Sequence, residues 1–252
     1  MVVGLVGSGS IARSLALGWG EPVLCTDAGS GRARDLAEEL GGEALGSNAE
    51  LADRADLVVL CHKPSQLEAV AGEVAPAAKA IASVLAGRSL ADLQAAYPDR
   101  PVFRLMPSKA VEMRRGLICF TPTAGASPEL ESQVLELFGR LGTLVSLPEP
   151  LMDPATALAG AGPAYLALVA EALTDGAVRQ GFAAEQAATI VTETLAGTAE
   201  LLHARQHDAL AVRREIASPG GFTERGLSAL ETAGVRGAFA DALEAAVGER
   251  TP

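Results

Sequence analysis

The apolar run Val2–Val6 leads directly into Gly7-Ser8-Gly9-Ser10-Ile11-Ala12, where a helical pattern begins. A strand that turns through two glycines into a helix leaves few folds open. Gly7 permits the tight turn, and Gly9 lets a pyrophosphate approach the backbone. Ala12 stands where a third glycine would and still lets helix and strand pack closely. The helix N-terminus offers free N–H groups and a positive dipole end to phosphates. Gly7, Ser8, Gly9, Ser10 and Ile11 are therefore expected to cradle a dinucleotide. The competing reading is a plain strand–helix turn, and a second strand that ends on cue argues against it.

Further strands are predicted at Pro22–Thr26, Asp56–Cys61, Ala80–Leu85 and Val102–Met106. Helices fall near Ile11–Trp19, Arg32–Leu40, Ser65–Val74 and Ser89–Tyr97. This alternation predicts an α/β fold whose N-terminal part is a Rossmann-type doubly wound parallel sheet. Ser47-Asn48-Ala49-Glu50 and Ser89-Leu90-Ala91-Asp92 read as capping boxes, and Ser127-Pro128-Glu129 as a helix start. The runs Leu117–Thr121 and Thr143–Leu147 flank that last helix and suit an extension of the sheet edge.

After Pro148-Glu149-Pro150 the pattern changes, with no convincing strand from Asp153 onward. Helices are predicted at Pro163–Gln180, Ala184–Ala204, Thr223–Ala233 and Val235–Gly248. Residues 1–150 thus read as a dinucleotide-binding domain and residues 151–252 as an all-α domain. The helix Pro163–Gln180 is apolar on nearly all sides, so it is expected to be buried. In a segment this small, the easiest cover is a second copy, hence a homodimer.

Composition narrows the partners. Hydrophobic residues at 49% and charged residues at 20% describe a chain that buries a core. A formal charge of -11 argues against nucleic acid or an anionic membrane as partner. The longest uncharged stretch, Pro154–Ala170, holds two Pro and two Gly, and none reaches the roughly 20 unbroken residues of a membrane span. The N-terminus carries no basic leader-like segment. Cys25, Cys61 and Cys119 are scattered without metal spacing, so no metal and a cytoplasmic location are expected.

Asp27 lies 20 residues beyond Gly7, where an acid commonly accepts from an adenosine ribose and favours NADH. Ser30, Arg32 and Arg34 follow and suit the 2′-phosphate of NADPH, so the coenzyme is NADPH or NADH. A third reading makes Asp27 only a turn cap. Lys63 follows a strand terminus, the edge at which open α/β sheets bind ligands. Near the C-terminus, Ser218-Pro219-Gly220-Gly221-Phe222-Thr223 precedes a helix. Its backbone N–H groups form a cradle for a small carboxylate, with the Ser218 hydroxyl as a further donor. The Thr223 hydroxyl both donates and accepts, so it suits a ring nitrogen. The plainer alternative is a glycine turn with Thr223 as the helix cap.

The segment Glu215–Glu231, with this turn at its centre, resembles the signature of the pyrroline-5-carboxylate reductase family. The glycine turn at Gly7, Asn48, Lys63-Pro64, Arg104-Leu-Met-Pro107 and Ala159-Gly-Ala-Gly-Pro-Ala-Tyr165 stand in family order. The resemblance covers essentially the whole chain. It implies NAD(P)H-dependent reduction of 1-pyrroline-5-carboxylate to L-proline, the last step of proline biosynthesis. It also implies a helical dimerisation domain, with dimers often gathered into decamers. Asn48, Lys63, Pro64, Met106 and Pro107 would join the glycine turn and Asp27 around the coenzyme. His62, just before Lys63, has no counterpart in the family motif and reads as structural, although it is counted with that lining. Ser218, Gly220, Gly221, Phe222 and Thr223 would hold the substrate, with Thr223 as the catalytic residue.

Ser108 replaces the family's usual Asn, Ala159 and Ala161 replace serines, and Phe222 replaces a smaller residue. These departures keep two alternatives in view: a reductase of another cyclic imine carboxylate, and a non-catalytic dinucleotide-binding regulator. A hydroxy-acid dehydrogenase with a lysine on a C-terminal helix is disfavoured, because no Lys follows Lys109. His203 and His207 read as surface groups, and Trp19 as packing at the end of the first helix.

Overall fold

The computed structural model describes residues 1–122 and 125–248. Eight strands form one sheet: β1 (Val3–Val6), β2 (Leu24–Thr26), β3 (Glu43–Ala44), β4 (Leu57–Leu60), β5 (Ile81–Ser83), β6 (Val102–Pro107), β7 (Gly116–Phe120) and β8 (Gly142–Ser146). Their order is β3-β2-β1-β4-β5-β6-β7-β8. Strand order reverses between β1 and β4, the switch point at which doubly wound sheets open a crevice.

The helices α1 (Ser10–Trp19), α2 (Arg32–Leu40), α3 (Asn48–Arg54), α4 (Leu67–Val74), α5 (Leu90–Ala96) and α6 (Pro128–Gly139) connect these strands. Leu57 and Val59 join the core cluster holding Leu5, Trp19 and Phe138, whereas Val58 and Leu60 join the one holding Leu51, Leu67 and Ile81. Alternate residues of one strand therefore feed opposite faces, and both faces are covered. That is why β4 is apolar without interruption. Trp19 closes α1 as expected: its Nε1 donates to Leu137 O at 3.0 Å, and its ring meets Phe138 edge-on at 5.5 Å. Ser47, Ser89 and Ser127 cap α3, α5 and α6, with a reciprocal box at Ser89 and Asp92.

The sheet is not parallel throughout. β7 pairs antiparallel with β6, and β8 then runs parallel to β7. The connection explains this. Only the 3-10 turn Lys109–Met113 separates β6 from β7, too short for the crossover that parallel strands need. α6 supplies that crossover between β7 and β8. Arg114, with φ of 56°, closes the short connection, and its Nε donates to Gly18 O at the end of α1 at 2.7 Å.

Contacts divide the chain into two compact units, Met1–Pro163 and Ala164–Pro252. Residues 149–163 pack with the first, where Met152 joins Met106 and Cys119 in a small core. Arg104 on β6 is 2% exposed; it donates to Glu149 Oε1 at 2.5 Å and Asp153 Oδ1 at 2.7 Å. A short α7 (Met152–Ala155) passes through a π-helical turn, Thr156–Gly160, into α8 (Gly162–Arg179). Pro154 and Pro163 were expected to break this run. Each instead falls in the first turn of a helix, where its missing N–H costs nothing. The run Glu149–Arg179 is consequently long and apolar enough, by length and composition, to cross a membrane.

The second unit contains α9 (Ala184–Ala204), α10 (Ala209–Ile216), α11 (Phe222–Thr232) and α12 (Val235–Val247), with no strand among its described residues. The sequence pattern missed α10, a short helix started by Asp208, whose carboxylate accepts from Ala211 N at 2.9 Å. None of the described residues of α8, α11 or α12 is buried within the single chain. Leu168 is 64% exposed, and Leu166 and Leu173 are also open to solvent.

Candidate functional site

The β1–α1 turn lies against the end of β4. Gly7 has φ of +95°, and a Cβ there would sit 2.8 Å from His62 N. No L side chain fits that position without moving backbone. A Cβ at Gly9 would meet nothing within 4 Å, and Gly9 caps α1 without any side-chain hydrogen bond. α1 has no acid in its first turn, so its leading amides face an open space with their partial positive charge unopposed. These features fit a dinucleotide pyrophosphate. Ser8 is buried and donates to Thr26 O at 3.0 Å, which also accepts from Gly7 N at 3.1 Å, so the turn is stitched to β2.

A cleft of about 340 Å³ opens beside this turn and is lined by Gly7, Asp27, Ser30, Arg32, Asn48 and His62, among others. Asp27 does not present a free carboxylate to it. Oδ1 accepts from Gly29 N at 2.7 Å and Ser30 N at 3.1 Å; Oδ2 accepts from Ser30 Oγ at 2.9 Å and Ala33 N at 2.9 Å. A carboxylate has about four acceptor positions, and the loop takes all of them. The bond from Ala33, at the start of α2, is the main reason the Asp27 carboxyl sits below its ordinary range; Ser30 and Gly29 add to it. The expected contact of Asp27 with the ribose would require one of these loop bonds to yield. The turn-capping reading describes its contacts, and Ser30 and Arg32 line the cleft beside it.

Asn48 accepts from Thr26 Oγ1 at 2.6 Å and donates to Glu73 Oε2 at 2.8 Å, which holds its amide at the cleft wall. His62 Nδ1 lies 2.9 Å from Lys63 O, and its Nε2 is buried with no partner among the described residues. Burial is the main cause holding this imidazole's pKa down, against the Lys63 carbonyl that raises it; the Arg88 charge lowers it further. Lys63 is exposed at the rim, and Pro64 opens the 3-10 turn Pro64–Gln66. Cys61 also lines the cleft, where burial pushes its thiol up to about 12. Met106 and Pro107 end β6 and are buried. Ser108 accepts from Leu117 N at 3.0 Å through its hydroxyl, so it serves as a tie onto β7.

At the C-terminal turn, Gly220 has φ of +70°, and Gly221 is the N-cap of α11 with no side-chain cap bond. Thr223 lies inside the helix and is half-buried, which corrects the reading of it as the cap. Its hydroxyl has no hydrogen-bond partner among the described residues. Gly221 N donates to Ser218 O at 3.0 Å, and Gly220 N donates to the Glu224 carboxylate. Two of the amides expected to face a ligand are therefore engaged within the turn. The leading amides of α11 remain without a capping side chain. Glu224 escaped sequence reasoning, although a glutamate three residues past an N-cap is the recognisable half of a capping box.

A glycine turn at the switch point of a doubly wound sheet, followed by a helical unit, defines a Rossmann-type dinucleotide-binding protein. The family model for pyrroline-5-carboxylate reductase dimerisation matches residues 149–251, and that for F420-dependent NADP oxidoreductases matches residues 2–87. Pyrroline-5-carboxylate reductase from Aquifex aeolicus is 33% identical over 96% of this chain and 94% of its own. The crystal structure of 1-pyrroline-5-carboxylate reductase from Streptococcus pyogenes superposes with a TM-score of 0.90 at 30% identity, covering 98% of this chain and 96% of that one. The Plasmodium falciparum pyrroline carboxylate reductase, solved with NADP bound, gives 0.88 at 25% identity, covering 98% and 95%. The chain belongs to the pyrroline-5-carboxylate reductase family.

Proposed function

We propose that this chain reduces 1-pyrroline-5-carboxylate to L-proline, using NADPH or NADH. The observation that carries this reading is the C-terminal turn: a helix N-terminus without a side-chain cap beside a threonine whose hydroxyl has no partner among the described residues. Gly7, Ser8, Gly9, Ser10 and Ile11 would hold the pyrophosphate, with Asn48, His62, Lys63 and Pro64 along the cleft and Met106 and Pro107 at the end of β6. The reduced nicotinamide supplies the hydride when the coenzyme is bound. Ser218, Gly220, Gly221 and Phe222 surround the seat for the substrate carboxylate, and Thr223 Oγ orients the imine nitrogen. No strong acid is required if the imine arrives protonated. The protein's task is then positioning. The test is steady-state oxidation of NADPH and NADH with pyrroline-5-carboxylate and with other cyclic imine acids. A purified, folded chain inactive with all of them refutes the proposal.

NADPH is the favoured coenzyme in this reading, because the Asp27 charge is already met by its loop while Ser30 and Arg32 line the cleft. Asp27→Ala should therefore loosen the loop and raise KM for both coenzymes, by about fivefold, the scale of a lost side-chain bond to the first turn of a helix. A change in the NADPH/NADH ratio of kcat/KM with little loss in either would return Asp27 to the ribose.

The assembly we propose is a cytoplasmic homodimer formed through the C-terminal helices, with dimers able to gather into decamers. The exposed leucines of α8 support it. Obligate interfaces bury on the order of 2,000 Å² or more of such surface. Sedimentation at micromolar concentration should give a dimer or larger species, and a stable folded monomer would exclude the arrangement.

A further inference from the structure

The first turn of α11 grips Gly220 at both of its backbone polar groups. The Glu224 carboxylate accepts the Gly220 N–H, and Arg225 Nη1 donates to Gly220 O at 2.8 Å. Arg225 in turn lies over the Phe222 ring, 4.8 Å from its centroid, and that ring is 89% exposed. A carboxylate thus already sits on an amide of the substrate turn, and it belongs to the chain itself.

We propose that Glu224 is a built-in competitor for the substrate carboxylate and so a specificity-determining residue; this rests on the reading of the Ser218–Thr223 turn as the carboxylate seat. The Gly220 N–H can serve one carboxylate oxygen at a time. A substrate acid must displace Glu224, which is exposed and returns to water readily. Its negative charge then stays close to the seat and opposes the incoming anion. A cyclic imine without a carboxylate meets neither obstacle. Glu224 therefore narrows the advantage that acids hold over neutral imines.

The test compares wild type with Glu224→Ala and with Glu224→Gln, which keeps an acceptor but loses the charge. Glu224→Ala is expected to lower KM for pyrroline-5-carboxylate about three- to tenfold, the range of a typical hydrogen bond seen against water. Affinity for L-proline, measured by calorimetry, should tighten by a similar factor. KM for 1-pyrroline, which lacks the carboxylate, should move less than about twofold, and Glu224→Gln should fall between. A folded Glu224→Ala protein with unchanged or weaker proline affinity, or equal shifts for both imines, overturns the proposal. If wild type reduces neither imine, the activity reading fails by itself. Proline calorimetry then decides this inference: tighter binding to Glu224→Ala supports it, while equal or no binding in both proteins sinks it.

Discussion

Arg104→Ala is expected to cost about 3 kcal/mol of folding stability, the low end of the scale for breaking a buried ion pair, because Arg104 is buried but Glu149 and Asp153 are partly exposed. For a chain of this size that lowers Tm by roughly 6–12 °C. The guanidinium is buried on β6 and pairs with both Glu149 and Asp153 across a long stretch of sequence. Glu149 Oε1 also accepts Leu90 N at 2.8 Å, so one cluster ties the central sheet, the start of α5 and the segment leading into α7. The cost does not mean that the cluster is strong. Arg104 Nε and Glu149 Oε2 are buried without partners among the described residues, so its own polar demand is only partly met. Truncation is expensive because it strands Glu149 in a place where water reaches only part of it. Arg104→Lys keeps a charge but replaces a two-pronged donor by a point charge, so it should recover only part of the loss. Thermal unfolding followed by circular dichroism, at matched protein concentration, distinguishes the three proteins. An Arg104→Ala chain melting within a degree or two of wild type would show that the cluster does not hold this segment.

The sheet was legible where a strand is buried on both faces. Leu57–Leu60 has no other stable use, and the caps at Ser47, Ser89 and Ser127 mark helix starts through bonds that lie within four residues. β3 was not legible, because two exposed residues at a sheet edge carry no periodic signal. The reversed direction of β7 is a matter of connection length, and strand composition does not encode it. The site divides in the same way. Gly7 was identifiable because its φ and its approach to His62 demand glycine. The partners of Asp27 were not, since a loop with Gly29 and Gly31 at positive φ can fold back on an acid or leave it open. At the C-terminal turn, the glycines gave away the backbone geometry but not that Glu224 would reach back onto Gly220.

Thr223→Ala should lower kcat roughly 10- to 100-fold, or about 1.4–2.7 kcal/mol, if its hydroxyl orients the imine nitrogen in the transition state. The expectation is sharper because Thr223 has no structural duty to lose. Gly221 holds the N-cap, and the hydroxyl makes no bond within the described chain, so the variant should fold as wild type. KM should change less, because the leading amides of α11 still meet the carboxylate. Gly221→Val provides the contrast. Its backbone φ of -75° tolerates a side chain, but a Cβ there would sit 3.0 Å from Ser218 O and crowd the turn. That variant should raise KM for pyrroline-5-carboxylate more than it lowers kcat. Assays of both at saturating coenzyme, with folding checked by circular dichroism, separate orientation of the nitrogen from capture of the acid. A folded Thr223→Ala enzyme with wild-type kcat would remove the hydroxyl from the chemistry and leave the turn only a binding role.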